Sequence, residues 1–416
     1  MAMYFLVSIS LGFFLFKSHG QYFPFMKYAL HRLACLWIVV ILLPIGCASS
    51  RLLRYHDIPA PGGSYAVGTR VFEWTDSSRT DIFADKEDAL RRIMVQFWYP
   101  AVKRNSGERF IYFQNNKMIV NELANHYSVP KFLVAGVIEI ETNSFLGLEP
   151  STNKDSYPLV VFSHGRGGYK HQNSIQCEEL ASRGYVVVAV GHTYDSFITI
   201  FSDGSTAPYL SEKARKAGEA AKPKITTAQK LDLRVSDIQF VLDQIDQLQG
   251  KNLLFGIIDL ERVGMFGQSF GGATTIATAS TDNRIDAAAG FDTWFIPLSD
   301  KIIQEGMSIP FLHLGQDKWE RMPENYKKMK TLMKNSSAPN HHFAAGRMKH
   351  YDFTDGPQYA PAAKVVVPYF SWEDRSTMRA MLNTMVTVFF DSHLKKRKSS
   401  MPIAQVAAQF KTILAD

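Results

Sequence analysis

The chain has 416 residues, 46% apolar and 20% charged, proportions that fit a globular protein and exclude disordered, collagen-like and coiled-coil classes. Three cysteines are too few for a disulfide framework or a four-thiolate zinc site. The formal net charge is +7, but Lys17, Lys27 and Arg32 precede Cys47 with no acid among them, which leaves a surplus of only +4 beyond that point. That is too little to argue for a nucleic-acid partner.

Two apolar runs open the chain. Met1–Phe16 closes at Lys17, and a second run starts at Met26, with Lys27, His31 and Arg32 ahead of Leu33–Ile45. A basic flank, about thirteen apolar residues and small residues behind them describe an export signal, whereas a spanning helix needs about twenty. Leu43-Pro-Ile-Gly-Cys47-Ala-Ser-Ser50 resembles a bacterial lipoprotein signal, in which Cys47 becomes the lipidated first residue. The expectation is an export segment over 1–47, a linker over 48–61 and a catalytic domain over 62–416. The protein then sits at the cell envelope and meets the membrane through its N-terminus. A secreted or periplasmic form and an uncleaved anchor are the alternatives, and Met26 is an alternative start. With Cys47 acylated, Cys177 is the one free thiol of the mature chain, read as a small buried apolar side chain.

Beyond Ser64 short β-rich runs alternate with helical stretches. Met94–Tyr99, Leu159–Ser163, Tyr185–Val190, Val263–Gly267, Asp286–Phe291 and Pro310–Leu314 are mostly unbroken apolar runs. Continuous rather than alternating hydrophobicity marks strands buried on both faces of a parallel sheet. Between them, Leu231, Val235, Ile238, Leu242 and Ile245 put one apolar stripe on a helix that stops near Gly250. Further helices start at Gly271 and span Ser376–Leu394, the last closing on Lys395-Lys-Arg-Lys398, a cluster suited to a helix C-terminus or to membrane headgroups. This is an α/β class chain with a mostly parallel sheet flanked by helices. Phe110–Leu146 and Ser196–Lys224 do not fit the alternation and read as lid-like insertions.

Gly267-Gln-Ser269-Phe-Gly-Gly272 follows a strand and precedes a helix, the context of a nucleophile elbow. Glycines on either side permit a strained turn that lifts the Ser269 hydroxyl above the sheet edge. A serine needs a base, and the base an acid, in the chain order Ser, Asp or Glu, His. Of the downstream histidines, His313 lies in a strand, His393 on the last helix, and His341 and His342 at a strand edge. His350 lies in a polar loop and is the base. Asp292 and Asp317 each follow a strand, and local pattern does not separate them. Phe162-Ser-His164-Gly-Arg166-Gly-Gly168 leaves a strand into a glycine-rich turn, which nominates the amides of Arg166 and Phe270 as an oxyanion hole. His164 is read as a hydrogen-bonded turn histidine. No step calls for a metal or another cofactor.

With those residues placed, the chain resembles the secreted, α/β-hydrolase type of platelet-activating factor acetylhydrolase over roughly Gly62–Leu394. Gly63-Ser-Tyr-Ala-Val-Gly68, Phe97-Trp-Tyr-Pro100, Phe162-Ser-His-Gly165, the elbow, Phe291-Asp-Thr-Trp294 and His350-Tyr-Asp-Phe-Thr-Asp355 carry the likeness. It implies an α/β-hydrolase fold, Asp292 as the acid with Asp317 in reserve, and hydrolysis of short or oxidised acyl chains from phospholipid-like esters. Gln268, where histidine is frequent, and Arg166, where an apolar residue is familiar, depart from the pattern. A general short-chain esterase, a polyester or cutinase-like hydrolase, and a lipid-anchored binding protein on an inactive scaffold are the rival readings.

Overall fold

A computed structural model describes residues 54–414 apart from 85, 87, 103–106, 115, 128, 211–224, 320–321, 366, 368 and 396–400. The expected export segment, with Cys47, lies outside the described residues. So does 48–53 of the expected linker. Residues 54–61 are docked on the domain rather than running free. Ile58 is buried, its amide donates to the Glu141 carbonyl and the His56 amide to that of Tyr359.

The strands are β1 (Ala66–Thr80), β2 (Leu90–Ala101), β3 (Arg109–Ile111), β4 (Glu141–Leu146), β5 (Tyr157–Ser163), β6 (Val186–Gly191), β7 (Ile198–Ile200), β8 (Thr206–Pro208), β9 (Ile258–Gln268), β10 (Ile285–Phe291), β11 (Phe311–Gln316) and β12 (Asn340–Ala345). The principal helices are α1 (Lys117–Tyr127), α2 (Ser174–Ser182), α3 (Thr227–Gln247), α4 (Phe270–Ala279), α5 (Glu324–Asn335) and α6 (Arg375–His393). Among the described residues one sheet runs β12-β11-β10-β9-β5-β6-β2-β1-β4-β3, and β7 and β8 form a separate hairpin. From β12 to β6 every pairing is parallel, whereas β2 runs against both β6 and β1. This is the α/β-hydrolase arrangement the sequence implied.

The central strands are buried on both faces because helices cover both. Val160, Phe162 and Val187 pack with α2 and α6 through Cys177, Leu180, Met381 and Phe389. Their neighbours Leu159, Val161 and Val188 pack with α3 through Ile238, Val241 and Ile245. Successive side chains on a strand point to opposite faces, so the unbroken apolar runs are what two covered faces require. Helix α3 starts at a capping box, Thr226 with Gln229, which satisfies two of the amides a helix start leaves without partners.

Phe110–Leu146 is only partly an insertion. Its two ends are β3 and β4, which extend the sheet beyond β1, and α1 lies between them. Ser196–Lys224 holds the β7–β8 hairpin, and 211–224 lies outside the described residues. Lys395, the described residue of the basic cluster, is tied to the domain. It donates to the Arg183 carbonyl, pairs with Asp391 and lies over the Tyr185 ring. Among the described residues no helix is long and apolar enough to cross a membrane.

Candidate active site

Three parallel strands deliver the site. β9 ends at Gln268, and Ser269 follows at φ 57°, ψ −115°, immediately ahead of α4. A non-glycine residue there stores backbone strain, which persists only where surroundings enforce it. Here the Ser269 amide donates to the Phe291 carbonyl at 2.8 Å, and the Ser269 carbonyl accepts from the Gly272 and Trp294 amides, both at 3.0 Å. A Cβ on Gly267 would overlap the Gly271 backbone, and one on Gly271 the Ser163 carbonyl. Those two glycines are what let β9, α4 and β5 close on each other.

β10 ends one residue before Asp292, which also takes a positive φ, 43°, and is fully buried. Its Oδ1 accepts from the Gln316 amide at 3.1 Å and Trp319 Nε1 at 3.0 Å. Its Oδ2 accepts from Gln316 Nε2 at 3.0 Å and lies 2.6 Å from His350 Nδ1. His350 opens a single turn after β12 and meets the Trp319 ring edge to face at 5.3 Å. Asp317 is exposed and makes no contact with His350. The structure therefore brings Asp292, not Asp317, to the imidazole.

The Ser269 hydroxyl is not hydrogen-bonded to His350. Gln268, its chain neighbour, reaches under the imidazole instead: Nε2 donates to the His350 carbonyl at 3.2 Å and lies 3.4 Å from His350 Nε2. Its Oε1 accepts from Gln172 at 2.9 Å. Gln268, read in the sequence only as a departure, thus ties the base's backbone to the elbow.

The glycine turn after β5 carries the other half of the site. Among the described residues the amides of Arg166 and Phe270 have no hydrogen-bond partner, as donors awaiting an oxyanion should be. His164 donates from Nδ1 to the Gly165 carbonyl at 2.7 Å, and its Nε2 accepts from Ser196 at 2.9 Å and from the His192 amide at 3.2 Å. It is the hydrogen-bonded turn histidine expected. The turn is also gripped from α3, where buried Arg234 donates to the His164 carbonyl at 2.6 Å and the Gly165 carbonyl at 3.3 Å. Asp195 pairs with the same guanidinium at 2.6 Å, and the guanidinium lies 4.6 Å from the centre of the Phe270 ring. One cation therefore touches the carbonyl of the Gly165–Arg166 peptide, whose amide is one of the free donors, and the ring of Phe270, which supplies the other. At the mouth, exposed Arg166 lies over the Trp294 ring at 5.3 Å.

A second Ser–His–Asp chain lies deeper. Ser163 Oγ is 2.9 Å from His192 Nε2, and His192 Nδ1 is 3.0 Å from Asp237. All three are fully buried, and Asp237 also pairs with Arg91 at 2.7 Å and Arg79 at 3.2 Å. No substrate carbonyl reaches it, so it is part of the core. Among the described residues no three His, Cys, Asp or Glu side chains gather as a metal site would require.

Burial holds several of these histidines neutral. His192 is brought down to about 4, by burial first and Arg234 second. His164 is pushed well below 6.5 by burial, then by Arg234 and His192; His313 likewise, by burial and then His342. In the unfolded chain all three titrate near 6.5. Folded values below unfolded ones mean stability that is complete above about 6.5 and lost as pH falls towards the folded values. Each histidine removes up to about 1.4 kcal/mol per pH unit across that window. Buried Glu178, brought up to about 7, and buried Asp355, both raised by desolvation, work against this loss over the same range. Melting temperature should therefore fall from pH 6.5 to 4.5 by less than the histidines alone would give; a melt that rises down to pH 5 would contradict this.

Comparison with known proteins adds the following. The model of the family described as platelet-activating factor acetylhydrolase, isoform II, matches residues 52–401. A platelet-activating factor acetylhydrolase of Gallus gallus is 27% identical over 44% of this chain and 49% of its own length. One from Canis lupus familiaris is 25% identical over 67% and 64% respectively, so the match spans about half to two thirds of these relatives. A probable 1-alkyl-2-acetylglycerophosphocholine esterase of Arthroderma benhamiae is 25% identical over 79% of this chain and 83% of its own. Among solved structures, a ferulic acid esterase from Streptomyces cinnamoneus superposes with a TM-score of 0.68 at 26% identity. It covers 83% of this chain and 96% of its own.

Proposed function

The chain belongs to the platelet-activating factor acetylhydrolase, isoform II, family, and from that premise we propose that it is a serine carboxylic-ester hydrolase. Its substrates are phospholipid-like esters with short or oxidised acyl chains, of the 1-alkyl-2-acetylglycerophosphocholine type. The observation that carries the reading is the 2.6 Å contact between His350 and Asp292, built beside a strained serine and two free amides.

Ser269 Oγ attacks the ester carbonyl while His350 Nε2 takes its proton. Asp292 accepts from Nδ1–H, fixing the tautomer and stabilising the imidazolium. The amides of Arg166 and Phe270 hold the tetrahedral oxyanion. His350 returns the proton to the departing alcohol; water then repeats the sequence on the acyl-enzyme and releases the acid. The hydroxyl-to-imidazole hydrogen bond must form for this, and such contacts are often long without substrate and tighten in the reactive complex.

Two features support a lipid-like substrate. Arg166 offers a guanidinium at the mouth, which suits a phosphodiester headgroup. Phe132, between β3 and β4, is 69% exposed, an apolar contact suited to an interface. The test is an acyl series from acetyl to palmitoyl on p-nitrophenyl esters and phosphatidylcholines, with a feruloyl ester alongside. We expect kcat/KM to fall at least about tenfold, roughly 1.4 kcal/mol, from butyryl to palmitoyl, and phospholipids to be turned over. A flat series with no phospholipid cleavage favours the general or polyester-type esterase.

The protein is placed at the cell envelope through a lipid on Cys47, on the strength of Leu43–Ser50 alone. Radioactive palmitate should label the wild type and not Cys47→Ala; equal labelling removes that anchor.

A further inference from the structure

The turn after β5 has to present one amide, that of Arg166, in one direction. A Cβ on Gly165 would overlap Gln268 Oε1, so the position suits glycine, and the peptide after a glycine rotates easily. In a trans peptide the carbonyl and the N–H point opposite ways. A flip of the Gly165–Arg166 peptide would therefore withdraw the amide and put a carbonyl oxygen where an oxyanion has to form.

Three donors hold that carbonyl: His164 Nδ1 at 2.7 Å, the Gly168 amide at 3.0 Å and Arg234 Nη2 at 3.3 Å. The first two belong to the turn and move with it. Arg234 stands instead on α3, 1% exposed, on the face that also buries Leu231 and Ile238. Its Nη1 donates to the His164 carbonyl at 2.6 Å and its Nε to Asp195 Oδ2 at 2.6 Å. Asp195 in turn accepts the Gly167 amide on its main-chain carbonyl at 3.0 Å. Each nitrogen of the fork thus has an acceptor, and the rigid guanidinium plane ties the turn to α3. An apolar side chain would pack this face of the helix without the cost of burying a charge, but it could not meet acceptors on two separate segments. The guanidinium also lies 4.6 Å from the centre of the Phe270 ring, so the residue with the second amide packs against the same group.

We propose that Arg234 is a positioning residue for ester hydrolysis, an inference that rests on the hydrolase reading above. By holding the Gly165 carbonyl towards α3 it keeps the Arg166 amide aimed at the oxyanion. A donor on a carbonyl also polarises the N–H of the same peptide, which makes that amide the stronger donor. Arg234 touches neither substrate nor Ser269; it acts through the peptide.

The test changes the atom that the amides receive. p-Nitrophenyl acetate and its thionoester, with C=S in place of C=O, release the same p-nitrophenolate, but sulfur is a weak hydrogen-bond acceptor. A well-aimed amide favours the oxygen ester, and an amide free to turn away loses that preference. In Arg234→Met, kcat for p-nitrophenyl acetate should fall about 10- to 100-fold, short of losing an oxyanion donor outright, with KM changed no more than about twofold. The ratio of kcat/KM for ester over thionoester should fall at least about fivefold. Arg234→Lys keeps the charge without the fork and should move both readouts the same way by a smaller factor. Equal losses on the two esters, a raised KM at unchanged kcat, or full activity in either variant overturns the role. Should Arg234→Met not fold, Arg234→Lys decides alone. A wild type that cleaves neither ester removes the hydrolase reading and this inference with it. Wild-type turnover that Ser269→Ala abolishes and Arg234→Lys leaves intact removes the Arg234 role only.

Discussion

Replacing Ser269 with alanine should lower turnover of p-nitrophenyl acetate by at least about 10⁴-fold while leaving the thermal melt within a few degrees. The loss is large because no other hydroxyl is presented by the elbow; the deeper Ser163 is sealed in the core. Stability should survive because the Ser269 side chain caps nothing, and its backbone, not its hydroxyl, holds the turn to Phe291 and Trp294. Ser269→Gly sharpens the test. It too removes the nucleophile, but at φ 57° it relieves strain worth about 1–3 kcal/mol, so an inactive protein with a raised melting temperature is expected. Full turnover by Ser269→Ala would end the assignment.

Asp292→Asn should cost about 10⁴-fold in kcat, and Asp317→Asn no more than about twofold, as for an ordinary surface change. Every group facing Asp292 is a donor: the Gln316 amide and side chain, Trp319 Nε1 and the His350 ring. An asparagine must therefore turn its NH₂ towards two donors whichever way it flips. His350 loses its fixed tautomer, and the pocket loses hydrogen bonds, so a lowered melt should accompany the kinetic loss. If Asp317→Asn is the more damaging change, the acid has been misassigned.

The sequence made the elbow, the central strands and His350 readable because each leaves a local mark: an unbroken apolar run, a pair of glycines, a polar loop. It did not show β1, β3 or β4. β1 is half-buried or exposed along most of its length, and β4 is the largely polar Glu-Thr-Asn-Ser-Phe-Leu, so neither has the apolar signature of a covered strand. Asp292 and Asp317 looked alike by local pattern because both follow strands; the family resemblance favoured Asp292, and the return of the His350 loop to its carboxylate gives the physical reason. Arg234 was hidden for the opposite reason. It sits on the buried face of α3 beside Leu231 and Ile238, yet a charge there reads as solvent-facing until Asp195 and the His164 carbonyl are found around it. Gln268 was visible only as an exception to a family pattern, and its bond to the His350 carbonyl is a tertiary fact.

The two tryptophans at the site make it its own optical reporter. Trp294 lies under the Arg166 guanidinium, and Trp319 both donates to Asp292 and faces the His350 ring. Indole emission responds to a cation withdrawn from its face and is quenched by a neighbouring imidazolium. Arrival of an ester at the mouth and charging of the base should therefore register as separate changes in intrinsic fluorescence, Trp294→Phe and Trp319→Phe each silencing one of them, with no label attached.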